Sequence, residues 1–286
     1  MISTASGSPE IPLSPGVPAL LRDLLHERTG LYFEAGQFDL MLDKLRERVL
    51  AHRCRTYLDY FYILKYAEHG PDEWLRIVDA FSVQETYFWR EMAQIRACVE
   101  VIVPAWFATR SAPLRIWSAA CATGEEPSTL AIALQEAGWG DHPITISASD
   151  ASEAALAKAK AGVYRERSFR ALPPGLREKY FTPGPDGSHL RRELLRPIRY
   201  SRANLVAPLE IAPLAVAEVI FCRNVFIYFS PDAIRRTVAS FAAGMPAGGH
   251  LFVGASESLI KLTTQFEITE IKEAFAYVRQ PAPVQR

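Results

Sequence analysis

The sequence predicts a mixed α/β chain: a mainly parallel sheet covered by helices on both faces, preceded by an all-helical segment and closed by an antiparallel hairpin. Three observations carry this reading. Apolar residues recur three and four apart from Val17 to Ala108, the period of amphipathic helices. From Leu114 onward, short apolar runs alternate with helical patterns, the signature of strand–helix–strand units. Near the C-terminus, Phe266, Ile268 and Ile271, then Phe275, Tyr277 and Val278, flank a short turn.

The helical part begins with Leu20, Leu21, Leu24 and Leu25 on one face and a stop at Gly30. A second helix, about Gln37 to His52, stacks Leu40, Met41, Leu45 and Val49. Its other face carries Lys44, Arg46 and Arg48, with Arg53 and Arg55 just beyond. Further helices are expected at Tyr57–Glu68, Asp72–Phe81 and Met92–Ala108. The α/β part predicts strands at Leu114–Ser118, Pro143–Ala148, Glu218–Cys222 and His250–Gly254. Helices at Glu126–Ala137, Ser152–Ala161 and Asp232–Met245 lie between them. Pro183-Gly184-Pro185-Asp186-Gly187 is a turn cluster with short charged flanks, which predicts a small antiparallel β-insert over about 180–203. The expected division is a flexible tail over 1–16, a helical domain and linker over 17–91, an α/β domain over 92–279 and a second tail over 280–286.

Composition narrows the possible functions. Net charge is +0, with 32 basic and 32 acidic residues, which argues against a general nucleic-acid binder. The cysteines Cys54, Cys98, Cys121 and Cys222 lack metal-ligand or disulfide spacing, so no metal site is expected and a reducing, cytoplasmic setting fits. No apolar run approaches the ~20 residues that span a bilayer, so no membrane insertion is expected. Met1 to Pro18 has neither the basic nor the apolar region of a signal peptide.

The most telling stretch is Leu114-Arg115-Ile116-Trp117-Ser118-Ala119-Ala120-Cys121-Ala122-Thr123-Gly124-Glu125-Glu126-Pro127. It reads as a buried strand, a turn of small residues and a helix opening on two glutamates. Helix N-termini ordinarily receive phosphate. Two carboxylates there would repel a phosphate and attract a cation, such as the sulfonium and ammonium of S-adenosylmethionine. Only Gly124 remains of the Gly-x-Gly-x-x-Gly spacing, so the dinucleotide fingerprint is absent. Asp150 closes the second strand at the distance of a ribose-binding acid, although it would also serve as a helix cap before Ala151-Ser152-Glu153. Arg223 and Asn224 follow the strand ending at Cys222. All three features fall at the carboxyl ends of strands, where open α/β sheets bind ligands. Cys121 is expected to be a small packing residue. Ser82 to Glu91 alternates polar groups with large aromatics, as a lid would whose rings pack while Gln84, Thr86 and Arg90 face a ligand.

Together these residues resemble the chemotaxis-receptor methyltransferases (CheR type), which are S-adenosylmethionine-dependent protein-glutamate O-methyltransferases. The resemblance lies in Trp117-Ser118-Ala119-Ala120 through Thr123-Gly124-Glu125-Glu126-Pro127, Ala148-Ser149-Asp150 and Ile220 to Phe229. Thr86…Phe88…Arg90-Glu91, Gly162-Val163-Tyr164, Asn204-Leu205 and Ser256-Glu257 also agree, and the likeness runs from about Ala19 to Val278. It implies a Rossmann-like methyltransferase sheet, S-adenosylmethionine as cofactor and S-adenosylhomocysteine as product. It further implies that Gln84, Thr86 and Arg90 close over the methionine end and that Glu125 holds the ammonium. Gly124 would bind the cofactor beside Glu125, Asp150 would take the ribose, and Asn204 and Leu205 the adenine. Asn224 and Val225 would line the floor beside the methyl, with Arg90 and Tyr228 orienting the acceptor carboxylate. The family usually has Asn where this chain has Gln84. The basic row Lys44, Arg46, Arg48, Arg53 and Arg55 would meet an acidic, glutamate-bearing receptor helix bundle. Some relatives also add a receptor peptide to the β-insert as an edge strand; the turn at Pro183–Ser188 is short for that mode. A monomer is expected.

An acceptor glutamate, with a pKa near ~4.3, is already ionised at neutral pH, so the predicted chemistry is positioning without a general base. The competing readings are a methyltransferase for a small molecule and a signalling module that binds the cofactor without turnover. The Asn-Pro-Pro-Tyr motif of amino-methylating DNA enzymes is missing, and Arg223-Asn224 stands at the corresponding strand end.

Overall fold

The computed structural model describes residues 11–68 and 70–281. The chain divides into two compact units, one ending at Ser82 and the other starting at Val83. The 83–91 segment, expected as a linker beside the helical domain, thus belongs to the sheet unit.

The first unit consists of α1 (Val17–Thr29), α2 (Phe38–Ala51), α3 (Tyr57–Tyr66) and α4 (Gly70–Phe81). Gly30, left-handed at φ 77°, ends α1 by donating its N–H to the His26 carbonyl. A capping box between Thr56 and Asp59 starts α3. The core gathers Val17, Leu21, Leu24 and Leu25 with Met41, Leu42, Leu45, Val49, Tyr60 and Ile77. Leu20 and Leu40, expected on the buried faces, are exposed. Each lies one residue, or about 100° around the helix, from the stripe that packs. The tail expected over 1–16 falls largely outside the described residues, but Ile11 is buried in this core.

Within the same core sits a charged network. Glu73, 4% exposed, accepts both guanidinium hydrogen bonds from Arg48 at 2.8 and 2.6 Å. It also accepts the Tyr60 hydroxyl at 2.5 Å and lies 2.8 Å from His52 Nε2. Arg48 therefore departs from the expected solvent-facing basic row. Lys44 lies over the Phe81 ring, and Arg53 and Arg55 remain exposed.

The second unit opens with α5 (Met92–Ala97), which runs through a π-helical stretch at Cys98–Ile102 into α6 (Val103–Thr109). Next come β1 (Leu114–Ala119), α7 (Glu125–Glu136), β2 (Ile144–Asp150) and α8 (Glu153–Ala161). The β-insert region holds β3 (Val163–Tyr164), α9 (Pro174–Tyr180), β4 (Phe181–Gly184), β5 (Gly187–Leu190) and α10 (Arg192–Leu195). The chain finishes with β6 (Ile198–Arg202), α11 (Pro208–Ile211), β7 (Val219–Cys222), α12 (Pro231–Gly244), β8 (His250–Val253), β9 (Phe266–Ile271) and β10 (Ala274–Arg279).

The main sheet has the order β6-β2-β1-β7-β8-β10-β9, parallel from β6 to β8, with β10 antiparallel to both β8 and β9. Strand residues alternate between two cores. Ile116, Phe221 and Phe252 enter one, while Trp117, Ile220 and Leu251 enter the other. Burial on both faces is why these strands read as continuous apolar runs. The insert is smaller than expected. It is a three-stranded antiparallel sheet, β3-β5-β4, and the 198–202 stretch instead pairs in parallel with β2 at the edge of the main sheet. An edge strand is half solvated, so Ile198-Arg199-Tyr200-Ser201-Arg202 carries too little apolar patterning to be recognised from sequence.

Candidate functional site

The chain winds from β1 through β2 to β6 in one direction, then restarts at β7 on the other side of β1. The switch point therefore lies between the carboxyl ends of β1 and β7, where Ala119 pairs with Cys222. A cleft opens there, lined by Thr86, Tyr87, Arg90, Ala120, Cys121, Ala122, Glu126, Thr129, Arg223 and Asn224.

The β1–α7 turn reaches the cleft through three left-handed positions, Ala120 (φ 57°), Ala122 (φ 48°) and Gly124 (φ 90°). At about 1–2 kcal/mol for each alanine, this backbone is strained, as loops at functional sites often are. Asp150 secures the turn. Its Oδ2 accepts the Ala122 N–H at 2.9 Å and its Oδ1 the Ser152 N–H at 2.9 Å. The N-cap of α8 is Ser152, whose hydroxyl accepts from Ala155 N–H, so the capping alternative for Asp150 does not hold. Cys121 is buried, and burial pushes its thiol well above the usual range, consistent with a packing role.

The two glutamates of α7 diverge. Glu125, 2% exposed, accepts the Thr123 hydroxyl at 2.6 Å and the Ser168 hydroxyl at 2.8 Å, and it does not line the cleft. Glu126 does line it. Its Oε1 accepts the Ser118 hydroxyl at 2.6 Å and its Oε2 lies 3.5 Å from Arg223 Nε. Burial raises the Glu126 pKa; the Arg223 charge and the Ser118 hydrogen bond oppose that rise. The structure thus brings Glu126 to this cleft, whereas Glu125, the residue named from sequence, lines a second cavity with Thr123, Tyr164 and Ser168.

The 83–91 segment is anchored by Phe88, fully buried against Tyr164, Phe169 and Phe181, with its N–H donated to Ser168 O at 2.9 Å. This anchor presents Thr86 and Arg90 to the cleft. Gln84 lies outside the cleft lining, its Oε1 taken by Lys158 Nζ at 2.8 Å. Arg90 donates to the Glu85 carbonyl at 3.0 Å. Arg223, with its side chain 2% exposed, donates to the Arg90 carbonyl at 2.7 Å and lies 3.6 Å from Glu91.

Asn204 and Leu205 follow β6, linked to the Asp150 strand end by the Ala203 N–H bond to Asp150 O at 3.1 Å. Asn204 Oδ1 accepts the Val206 N–H, and Leu205 is buried in the core. They sit beyond the cleft lining on the same edge of the sheet. Val225 packs on that same core, and Tyr228 closes a 3₁₀ turn at Phe226–Tyr228, also outside the lining. Sequence reasoning took Glu126 only as one of two cation-attracting carboxylates and gave no role to Glu91 or Glu257. Each is a carboxylate beside a strand end, the signal that would have singled it out.

A doubly wound sheet with a terminal antiparallel hairpin, and two glutamates opening the helix after β1 in place of a glycine fingerprint, marks the class of S-adenosylmethionine-dependent methyltransferases. The chain belongs to the CheR methyltransferase family. The model of that family's SAM binding domain matches residues 84–275, and the model of its all-alpha domain matches residues 19–82. Chemotaxis protein methyltransferase 2 of Vibrio cholerae is 33% identical over 263 residues, covering 90% of this chain and 91% of that protein. The chemotaxis protein methyltransferase of Klebsiella aerogenes is 31% identical, covering 90% and 88%. A probable biofilm formation methyltransferase of Pseudomonas putida is 30% identical, covering 89% of this chain and 60% of that protein.

Proposed function

We propose that this chain methylates glutamate side chains of chemotaxis receptors, using S-adenosylmethionine and releasing S-adenosylhomocysteine. The observation that carries this reading is the switch-point cleft of a family member, lined by the half-buried carboxylate of Glu126, by Arg90 and by the small residues of the β1–α7 turn. The donor set fits the cofactor. In this reading Glu126 offers a carboxylate to its ammonium, Asp150 takes the ribose, and Asn204 and Leu205 take the adenine. Thr86 and Arg90 cover the methionine end, with Asn224 and Val225 below. When bound, the cofactor supplies an electrophilic methyl on a positively charged sulfur.

The acceptor glutamate is ionised at neutral pH, so the residues of this chain need not remove a proton. Their work is to exclude water and to hold the attacking oxygen in line with the breaking carbon–sulfur bond. Arg90 and Tyr228 orient the acceptor carboxylate. An acidic, helical receptor region is the partner that charge favours. Arg53 and Arg55 are exposed on the helical unit. On the sheet unit, residues 158–199 hold eleven Lys and Arg against four Asp and Glu in a chain of zero net charge.

Incubation with cofactor labelled on the methyl group, together with a receptor cytoplasmic fragment, tests the assignment. Base-labile label on the receptor is the expected result. Label confined to small molecules, or cofactor binding without any transfer, would overturn it.

A further inference from the structure

The loop after β8 and the 83–91 segment converge on Asn224 in the turn after β7, and two carboxylates hold it from opposite ends. Its backbone is left-handed at φ 59°, a conformation that Asn tolerates better than most residues with side chains. The Asn224 N–H donates to Glu257 Oε2 at 2.8 Å, and the same oxygen accepts the Gly254 N–H at 2.6 Å. Glu257 Oε1 accepts the Ile227 N–H at 3.2 Å. One side chain thereby ties the end of β8 to both sides of the turn that follows β7. At the other end, Asn224 Nδ2 donates to Glu91 Oε1 at 3.2 Å, while Glu91 Oε2 accepts the Ala255 N–H at 3.2 Å. The packing leaves no slack. A Cβ on Gly254 would stand 2.6 Å from Asn224 Nδ2 and 2.8 Å from Glu257 Oε2.

The hydrogen-bond directions fix the Asn224 amide. A carboxylate oxygen accepts, so the group facing Glu91 is the NH₂, and the carbonyl oxygen Oδ1 stands on the other side of the amide of a residue that lines the cleft. A carboxamide oxygen suits the cationic end of a sulfonium ligand. Glu257 itself does not line the cleft. From this geometry we infer that Glu257 is a positioning residue for methyl transfer. It acts through Asn224, holding the turn so that Oδ1 meets the charged end of the cofactor. The inference rests on the cofactor assigned above and not on the identity of the acceptor.

The test measures S-adenosylmethionine and S-adenosylhomocysteine binding to the full chain by calorimetry, with thermal melts alongside. The variants are Glu257→Gln, Glu257→Asp, Asn224→Ala and the Glu257→Gln/Asn224→Ala pair. Glu257→Gln should weaken S-adenosylmethionine about tenfold, and the neutral-sulfur product less, with Glu257→Asp recovering part of the loss. In the Asn224→Ala background the same change should cost about twofold or less, because residues acting as a unit are not additive. A full, additive loss in that background would overturn the inference, as would unchanged affinity in a folded Glu257→Gln variant. Should that variant fail to fold, Gly254→Ala strains the same clamp and should reproduce the preferential loss of S-adenosylmethionine; equal loss of both ligands counts against it. Normal cofactor affinity in the unmodified chain without receptor labelling would defeat the receptor assignment alone and leave the clamp to be judged on these affinities.

Discussion

Glu125 and Glu126 are adjacent and chemically identical, yet the first turn of α7 buries the one and leaves the other half-buried in different surroundings. Two hydroxyls satisfy Glu125 away from the cleft, while Glu126 shares the cleft wall with Arg223. On the proposed reading, the cofactor's ammonium in this cleft meets Glu126 and not Glu125. Replacing Glu126 by Gln keeps the shape and removes the charge. S-adenosylhomocysteine, which retains the ammonium, should bind about tenfold more weakly, or about 1.4 kcal/mol. Glu125→Gln should leave the affinity within about twofold and act on stability, because a buried hydroxyl loses its charged acceptor. Calorimetry on the two variants decides the matter, and the reverse pattern would return the role to Glu125. Sequence alone could not separate the pair. Consecutive helical residues differ by 100° in direction, and which direction faces the ligand depends on how α7 seats against β1.

At the scale of elements, the sheet was legible because its central strands are buried on both faces and its helices carry clear stops such as Gly162 after α8. The β1–α7 turn was legible as a ligand loop for the same chemical reason that it strains, since only small residues occupy its left-handed positions. Less legible were β6, whose charged, half-exposed side chains hide its pairing with β2, and β3, whose two residues are too few to show a period. The π-helical stretch at Cys98–Ile102 left no trace in composition either. Gly124 tests the turn directly. A Cβ there would lie 2.8 Å from the Ala159 Cβ and 3.1 Å from the Tyr200 hydroxyl, at φ 90°. Gly124→Ala combines left-handed strain with overpacking, about 2–4 kcal/mol together, and should lower the melting temperature of the sheet unit by roughly 5–15 °C. Gly138→Ala is the comparison. Its φ is 81° but nothing lies within 4 Å of the added Cβ, so it should show the strain alone, about 1–2 kcal/mol. Equal melting shifts for the two alanines would mean that the β1–α7 turn can move away from α8 at little cost.

Over the whole molecule, opposite charges cancel at neutral pH, so the response to acid depends on individual carboxylates and not on net repulsion. Several have lowered pKa values, but Glu85, Glu166 and Asp186 are exposed pairs that salt would screen. Glu73 differs. Burial alone would raise its pKa, but the hydrogen bonds from Arg48, Tyr60 and His52 outweigh that and hold it down at about 2. An unfolded glutamate titrates near ~4.3, so between these values the unfolded chain binds the proton and the folded chain does not. The stabilisation is complete above about pH 4.5 and is lost as the pH falls toward about 2, amounting to about 3 kcal/mol across that window. Amide protection on α2, α3 and α4, taken relative to intrinsic exchange at each pH, should therefore fall steeply over that range, and added salt should change the slope little. Glu73→Gln removes the titrating group and leaves Arg48 without its anion. Its helices should exchange faster at neutral pH and lose most of the acid dependence. An unchanged acid slope in that variant would place the proton-linked stability of the helical unit elsewhere than in the Arg48–Glu73–Tyr60–His52 network.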